Sequence, residues 1–167
     1  MTLPSLEWEQ RVAALWKELD ALDEVAFVEQ MRSLADELPP KHPVALFELG
    51  GAHDSTGLPR EAVSLYQEAL DAGLCGSRRR QACIQMASSL RNLGEAERAA
   101  DILLAEHAAP GDELDQAVSA FLALALVDLG REREAVALSL QALATYLPRY
   151  NMSLARYADA LLDAQSP

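Results

Sequence analysis

The chain has 167 residues, half of them apolar, which is enough to bury the core of one soluble domain. Aromatic residues, which are enriched in strands, make up only 5% of the sequence, so the composition favours close-packed helices over sheets. The formal net charge of −12 repels phosphate backbones and anionic lipid headgroups, so the composition argues against nucleic acid and membrane as partners.

The first predicted element is a helical hairpin over residues 6–38, ended by Pro39-Pro40. Its first helix places Trp8 and Trp16 on one apolar face. The residues before it, Met1 to Leu6, lack the positive flank and apolar core of a secretory signal, so we expect a cytoplasmic protein. We interpret this hairpin as a degenerate unit that caps the elements after it.

Three segments with a common organisation follow, over residues 43–73, 77–107 and 112–147. Each predicts a helix, a short turn and a second helix, and the turn glycine is expected to take the left-handed conformation that ends the first helix. The turn glycines are Gly57, Gly94 and Gly130, spaced by 37 and 36 residues. Small residues at equivalent positions would let the two helices of each hairpin approach closely. They are Gly50, Ala87 and Ala123 in the first helices and Ala62, Ala99 and Ala135 in the second.

This pattern resembles the tetratricopeptide repeat, with large-x-x-Leu-Gly-x-x-aromatic on one helix and Ala-x-x-x-aromatic on the next. The first segment matches best, through Leu46, Leu49, Gly50, Ala62 and Tyr66. The resemblance implies an all-α, right-handed superhelix of helical hairpins with about nine helices, a single domain over 1–167 and a solvating last helix at 153–164. Small cytoplasmic bacterial proteins of this family look similar. The resemblance also implies binding of a protein or peptide in a concave groove lined by the first helices.

The first helix of the middle segment carries a polar stripe that is a candidate for this groove. Gln81, Gln85, Ser88 and Asn92 follow at i, i+4, i+7 and i+11, which aligns four uncharged hydrogen-bonding side chains on one face. The alternative is an ordinary solvated face. Amides and hydroxyls in place of Lys and Glu favour a peptide-binding surface.

Arginines open the same helix at positions 78–80, where they oppose the helix dipole, and Arg91 returns to the angle of Arg80 three turns later. Either internal carboxylates, such as Glu68 or Asp71, or an acidic ligand group would compensate them. Internal ion pairs are the favoured interpretation. The remaining candidates for the groove are Arg80, Arg91 and Asp54.

One subclass of the family holds the C-terminal carboxylate of chaperone tails with lysines and asparagines on successive first helices. The matching positions here carry other residue types and cannot form that clamp, so chaperone tails are not expected partners. These positions are Phe47, Gly51, Gln85, Ala117 and Phe121.

The first helix of the last segment is apolar almost all the way around between residues 117 and 127. Such a helix requires cover on both sides, from the closing helix, a ligand or a second copy of the chain. Tyrosines, which are favoured in interfaces, follow nearby. We therefore predict a self-association surface and a homodimer, with Phe121, Leu124, Tyr146 and Tyr150 as candidates.

The sequence nominates no catalytic residue, metal ligand or cofactor site. The three histidines, His42, His53 and His107, have no metal-binding spacing, and no carboxylate pair stands out as acid and base. The leading hypothesis is a non-catalytic interaction module that binds a protein or peptide. The alternative is a regulatory or sensor module whose groove takes a short peptide or small metabolite. An enzyme would require a pocket that gathers His53, Asp54 and an arginine.

Overall fold

The computed structural model describes residues 3–163, and this part of the chain contains nine α-helices and no strand. The predicted all-α architecture of helical hairpins is confirmed. The helices are α1 (Leu6–Lys17), α2 (Glu24–Ala35), α3 (Pro43–Ser55), α4 (Pro59–Asp71), α5 (Ser77–Asn92), α6 (Ala96–Ala108), α7 (Asp115–Asp128), α8 (Glu132–Ala144) and α9 (Asn151–Asp163).

Helix ends differ from the predicted segments by a few residues. The third segment's first helix starts at Asp115, because the carboxylate of Asp112 accepts a hydrogen bond from the Leu114 N–H (2.7 Å) and shapes a turn before the helix. The closing helix starts at Asn151, two residues earlier than predicted, and residue 164 lies outside the described residues. The superhelix handedness and the single domain over 1–167 stay predictions.

Local signals explain where several helices begin. The hydroxyl of Ser5 accepts a hydrogen bond from the Trp8 N–H (3.2 Å), and the carboxylate of Asp23 accepts one from the Ala26 N–H (3.0 Å). Each side chain satisfies a backbone donor that the first turn leaves unpaired. Pro43 and Pro59 open α3 and α4, where the missing N–H costs no helical hydrogen bond.

The three predicted turn glycines adopt the left-handed conformation, with φ of +75°, +80° and +70° at Gly57, Gly94 and Gly130. At each turn the residue after the glycine donates its N–H to a carbonyl five residues earlier. The acceptors are His53, Leu90 and Leu126, at 2.8–2.9 Å. This is the Schellman motif, which satisfies carbonyls that a helix end leaves without partners. The prediction of the turns is confirmed.

The chain divides into two compact units, and the first spans Met1–Ser89. Here the indole of Trp8 donates to the Leu34 carbonyl (2.8 Å), and the rings of Trp16 and Phe27 pack with centroids 5.2 Å apart. These contacts hold α1 against α2. Phe27, Met31 and Tyr66 are fully buried in the core of the unit.

Helices α3 and α4 form the first complete hairpin, and they approach closely at Gly50. A Cβ added there would lie 2.9 Å from the ring of Tyr66, a distance that real Cβ atoms essentially never show. The glycine therefore leaves the space that the Tyr66 ring fills. This is the close approach that the repeat pattern predicts for the small residue on the first helix.

The second compact unit spans Leu90–Pro167 and contains the end of α5 with α6, α7, α8 and α9. Consecutive helices pack against each other in three pairs, α6 with α7, α7 with α8 and α8 with α9. The interior of this unit is made of small and aliphatic side chains. Its fully buried members include Leu103, Val118, Leu122, Leu126 and Ala158.

Candidate groove site

The first unit contains a cleft of about 560 Å³ to which α1, α3 and α5 contribute. These are the first helices of the N-terminal hairpin and of the first two repeats. We call it the first-unit cleft. It is lined by Trp16, Phe47, Glu48, Gly51, Ser55, Ser77, Arg78, Gln81 and Gln85.

Hydrogen bonds between charged and aromatic side chains connect the three helices at this cleft. The indole N–H of Trp16 donates to Oε2 of Glu48 (2.9 Å), and Nε of Arg78 donates to Oε1 of the same carboxylate (3.3 Å). The Nη1 of Arg78 donates to Oε1 of Glu9 (3.0 Å). One arginine of α5 thus binds carboxylates from both α1 and α3.

The carboxylates outnumber the cation in this network. Burial raises the pKa of Glu48, and the hydrogen bond from Trp16 and the charge of Arg78 offset only part of that effect. Burial alone would lower the pKa of Arg78, but hydrogen bonds and charges from Glu9 and Glu48 outweigh it and raise the pKa. The formal charges of Arg78, Glu9 and Glu48 sum to −1.

Two amide side chains of α5, Gln81 and Gln85, complete one wall of the cleft. The Oε1 atom of Gln85 is buried, and no described residue donates a hydrogen bond to it. A buried acceptor without a donor costs the folded protein free energy, about 1 to 3 kcal/mol. Because the atom has almost no exposed surface, the amide of Gln85 would have to rotate before this oxygen could accept a hydrogen bond from a ligand.

The opposite side of the cleft is apolar and aromatic. Phe47 is buried, while Trp16 is half-buried. At Gly51 a Cβ would lie 3.1 Å from the Trp16 ring, so the missing side chain lets the indole lie directly against α3.

The structure brings only part of the predicted polar stripe to this cleft. Gln81 and Gln85 line it, whereas Ser88 is half-buried and does not. Asn92 is exposed at the end of α5, within the second unit. Arg80 is buried and also absent from the lining.

The other two predicted groove residues make internal contacts. Arg91 pairs with Asp128, its Nε 2.6 Å from the carboxylate, within the second unit. Asp54 accepts a hydrogen bond from the Ser89 hydroxyl (2.6 Å), and burial raises its pKa more than this bond lowers it. Neither side chain lines the first-unit cleft.

Arg78 has the internal carboxylate partners that the sequence favours, but their identity differs from the prediction. They are Glu9 and Glu48, not Glu68 or Asp71. Glu9 lies on α1 and Glu48 on α3, both distant from Arg78 in sequence. The prediction that carboxylates of the preceding helix pair with this arginine was therefore wrong.

Sequence reasoning missed the acidic part of the cleft. Glu48 is the only charged residue among the first nine of α3, from Pro43 to Gly51, in an otherwise apolar stretch. An isolated carboxylate in such a helix signals a buried partner or a site. Phe47 and Gly51 were named only as positions unable to form a clamp, and both line the cleft.

The second unit has an apolar cleft of about 370 Å³ between α7 and α8. Among the predicted self-association residues only Leu124 lines it, with 46% of its surface exposed. Phe121 is half-buried, while Tyr146 and Tyr150 lie between α8 and α9, 71% and 78% exposed. The cleft is lined by Ala120, Ala123, Leu124, Val127, Ala135, Val136, Ser139 and Leu140.

Metal-binding chemistry and membrane insertion find no support between residues 3 and 163. No three His, Cys, Asp or Glu side chains gather there in a way that could hold a metal ion. No helix in this range combines the length and apolarity needed to cross a bilayer. Burial lowers the pKa of His53, and the positive charge of Arg32 lowers it further. Both effects favour a neutral imidazole.

Comparison with known protein families agrees with the repeat pattern. A family model described as Tetratrico peptide repeat matches residues 43–161. The chain belongs to the tetratricopeptide repeat family. Tetratricopeptide repeats generally mediate protein–protein interaction, and the family is generally non-catalytic. No curated protein matches the chain, and no solved structure matches it.

Proposed function

We propose that this protein is a non-catalytic interaction module that binds a protein segment or peptide in the first-unit cleft. The observation that carries the proposal is the cleft's position on α3 and α5, first helices of repeats of the kind that the family resemblance assigns to ligand binding, with α1 beside them. Its volume of about 560 Å³ falls within the usual range of ligand pockets.

The lining has the chemistry to bind a polypeptide. Gln81 and Gln85 offer amide groups, which can both donate and accept hydrogen bonds, and Ser55 and Ser77 add hydroxyls. The aromatic side of the cleft can cover the apolar part of a ligand side chain. Polar groups beside an apolar surface are typical of selective binding sites.

A peptide library displayed against the wild-type protein tests this proposal. Peptides enriched from it are then measured by fluorescence anisotropy against a variant with Gln81→Ala and Gln85→Ala. We expect at least a tenfold loss of affinity, because two hydrogen-bonding groups leave the cleft wall.

The control uses the other half of the polar stripe, with Ser88→Ala and Asn92→Ala, since neither residue lines the cleft. Circular dichroism checks that both variants fold. Equal affinities for all three proteins would place the binding site elsewhere. Failure to enrich any peptide, together with thermal stabilisation by a metabolite, would support the sensor alternative instead.

We also propose that the second unit forms a contact between two copies of the chain. Leu124, Val127 and Val136 are each nearly half exposed and line a cleft that is almost entirely apolar. Exposed apolar clefts of this kind mark interaction surfaces.

Light scattering coupled to size exclusion tests self-association. Wild type is expected to elute with the mass of a dimer, and Leu124→Lys with the mass of a monomer, because a charge in the apolar cleft opposes burial. Val25→Lys is the control, since Val25 is an exposed apolar residue on α2 that does not line this cleft. A monomeric wild type at every concentration would contradict this part of the proposal.

A further inference from the structure

We propose that the first-unit cleft binds the cationic side chain of a basic peptide, a lysine or an arginine. This inference rests on the proposed function and specifies the chemistry of its ligand. Three independent properties of the cleft support it: its charge, its unused hydrogen-bond acceptors and its aromatic side.

The charge of the cleft favours a cation. Arg78 is the only cation among the lining residues, and it binds two carboxylates, those of Glu9 and Glu48. The charges of the lining residues Glu48 and Arg78 cancel, and the carboxylate of Glu9, which binds Arg78 without lining the cleft, gives this three-residue network a formal charge of −1. Glu48 is buried, and a second cation close to its carboxylate would compensate the cost of that burial. The net charge of −12 over the chain adds a long-range attraction for basic segments.

The hydrogen-bonding groups favour a ligand that donates. Gln85 lines the cleft, and its Oε1 receives no hydrogen bond from any described residue; the atom is covered, so the amide rotates toward the cleft when it accepts from a ligand. The two oxygens of Glu48 accept from Trp16 and Arg78, and each oxygen can accept another bond. Ammonium and guanidinium groups carry donors only, so they match these acceptors, whereas a carboxylate or phosphate would leave them unsatisfied and repel Glu48.

The apolar part of the cleft fits the stem of such a side chain. Trp16 and Phe47 line the cleft together with Glu48, and the indole of Trp16, which lies against Gly51, is the more exposed of the two rings. Lysine and arginine pack their methylene stems on apolar surface while the charged head contacts polar groups. An aromatic ring close to the cation adds attraction.

The experiment uses three labelled peptides with one host sequence of glycine and serine, in which every second residue is lysine, glutamine or glutamate. Anisotropy titrations measure their affinity for the full-length protein. We expect the lysine peptide to bind at least tenfold more tightly than the glutamine peptide, and the glutamate peptide to show no binding.

Two variants locate the interaction. Glu48→Gln removes one of the two carboxylate charges that share Arg78 and is expected to weaken binding of the lysine peptide at least fivefold. Gln85→Leu removes the unused acceptor with little change of volume and is expected to weaken it about threefold, with the glutamine peptide unaffected. Glu29→Gln is the matched control, since it removes one exposed carboxylate from α2, away from the cleft, and is expected to retain wild-type affinity.

An equal loss in Glu48→Gln and Glu29→Gln would show general attraction to an acidic protein and would overturn the inference. Library peptides that lack basic residues, yet lose affinity when Gln81 and Gln85 are replaced, would overturn it too, but the proposed function would stand. Absence of binding by every peptide, from the library or the designed set, would overturn both.

Discussion

At the scale of single residues, burial removes two polar groups of the first unit from water, fully for the Tyr66 hydroxyl and partly for the Asp54 carboxylate. The hydroxyl of Tyr66 is buried without a hydrogen-bond partner among the described residues, and burial raises its pKa. Asp54 is half-buried with one hydrogen bond, from Ser89. The ring of Tyr66 fills the space at Gly50 and so contributes to packing. The hydroxyl contributes no hydrogen bond with any described residue to the stability of the fold.

Tyr66→Phe is therefore expected to raise the free energy of unfolding by about 1 kcal/mol, because it removes an unsatisfied buried hydroxyl and keeps the ring. Urea denaturation followed by circular dichroism measures the change. Tyr66→Leu is the comparison and should destabilise the protein, since it opens space against Gly50. A Tyr66→Phe protein less stable than wild type would show that the hydroxyl has a partner, such as an ordered water.

We expect Asp54→Asn to change the way in which the free energy of unfolding depends on pH. Because burial raises the folded-state pKa of Asp54 above its ordinary value of 3.8, the folded state holds the proton more tightly than the unfolded state. Protonated Asp54 makes its whole contribution to the free energy of unfolding below pH 3.8, and this contribution is lost as pH rises through the raised pKa. Asparagine does not titrate and can still accept from Ser89.

The stability of Asp54→Asn relative to wild type should accordingly rise with pH across this window and level off above it. Urea midpoints of both proteins, measured in parallel from acid to neutral pH, give the difference directly. Glu48, whose pKa is also raised by burial, titrates in both proteins and cancels. A difference that is constant with pH would contradict the prediction.

At the scale of helices, the turns are the most predictable part of the fold. The three turn glycines follow from a local rule, because a left-handed residue is required to end each first helix. The ends of α7 and α9 were less predictable, since a side-chain hydrogen bond before α7 moved its start by three residues. Local signals of this kind set helix ends but do not determine which helices meet.

Replacing any one of these glycines, Gly57, Gly94 or Gly130, by alanine should cost about 1 kcal/mol. The cost is conformational, because a Cβ at each position would have no atom within 4 Å. Asparagine tolerates the left-handed region better, so each Gly→Asn variant should lose less stability than Gly→Ala at the same turn. Thermal unfolding of the six variants checks both statements, and equal losses for Asn and Ala would contradict the conformational explanation.

At the scale of the whole molecule, composition and periodicity predicted the all-α fold, and the resemblance of the repeat motif predicted the family, but neither predicted which residues line the cleft. The pair Arg78 and Glu9 joins residues 69 positions apart, and no sequence rule specifies such a contact. Helical spacing correctly aligned Gln81 with Gln85, yet it could not show that the cleft is closed by Trp16 and Glu48 from other helices. Tertiary contacts, which pattern reasoning does not supply, therefore decide the chemistry of the site.

From the net charge of −12 we predict how the association rate of the ligand depends on salt. If the ligand is a basic peptide, the field of the whole chain should steer it, and salt should screen that field. Stopped-flow association of the lysine peptide is expected to slow about tenfold as ionic strength rises from about 0.01 M to about 0.15 M. The dissociation rate should change much less, since it reports the short-range contacts with Glu48 and Gln85 inside the cleft. Salt dependence confined to dissociation would contradict long-range steering and would restrict the charge effect to the site itself.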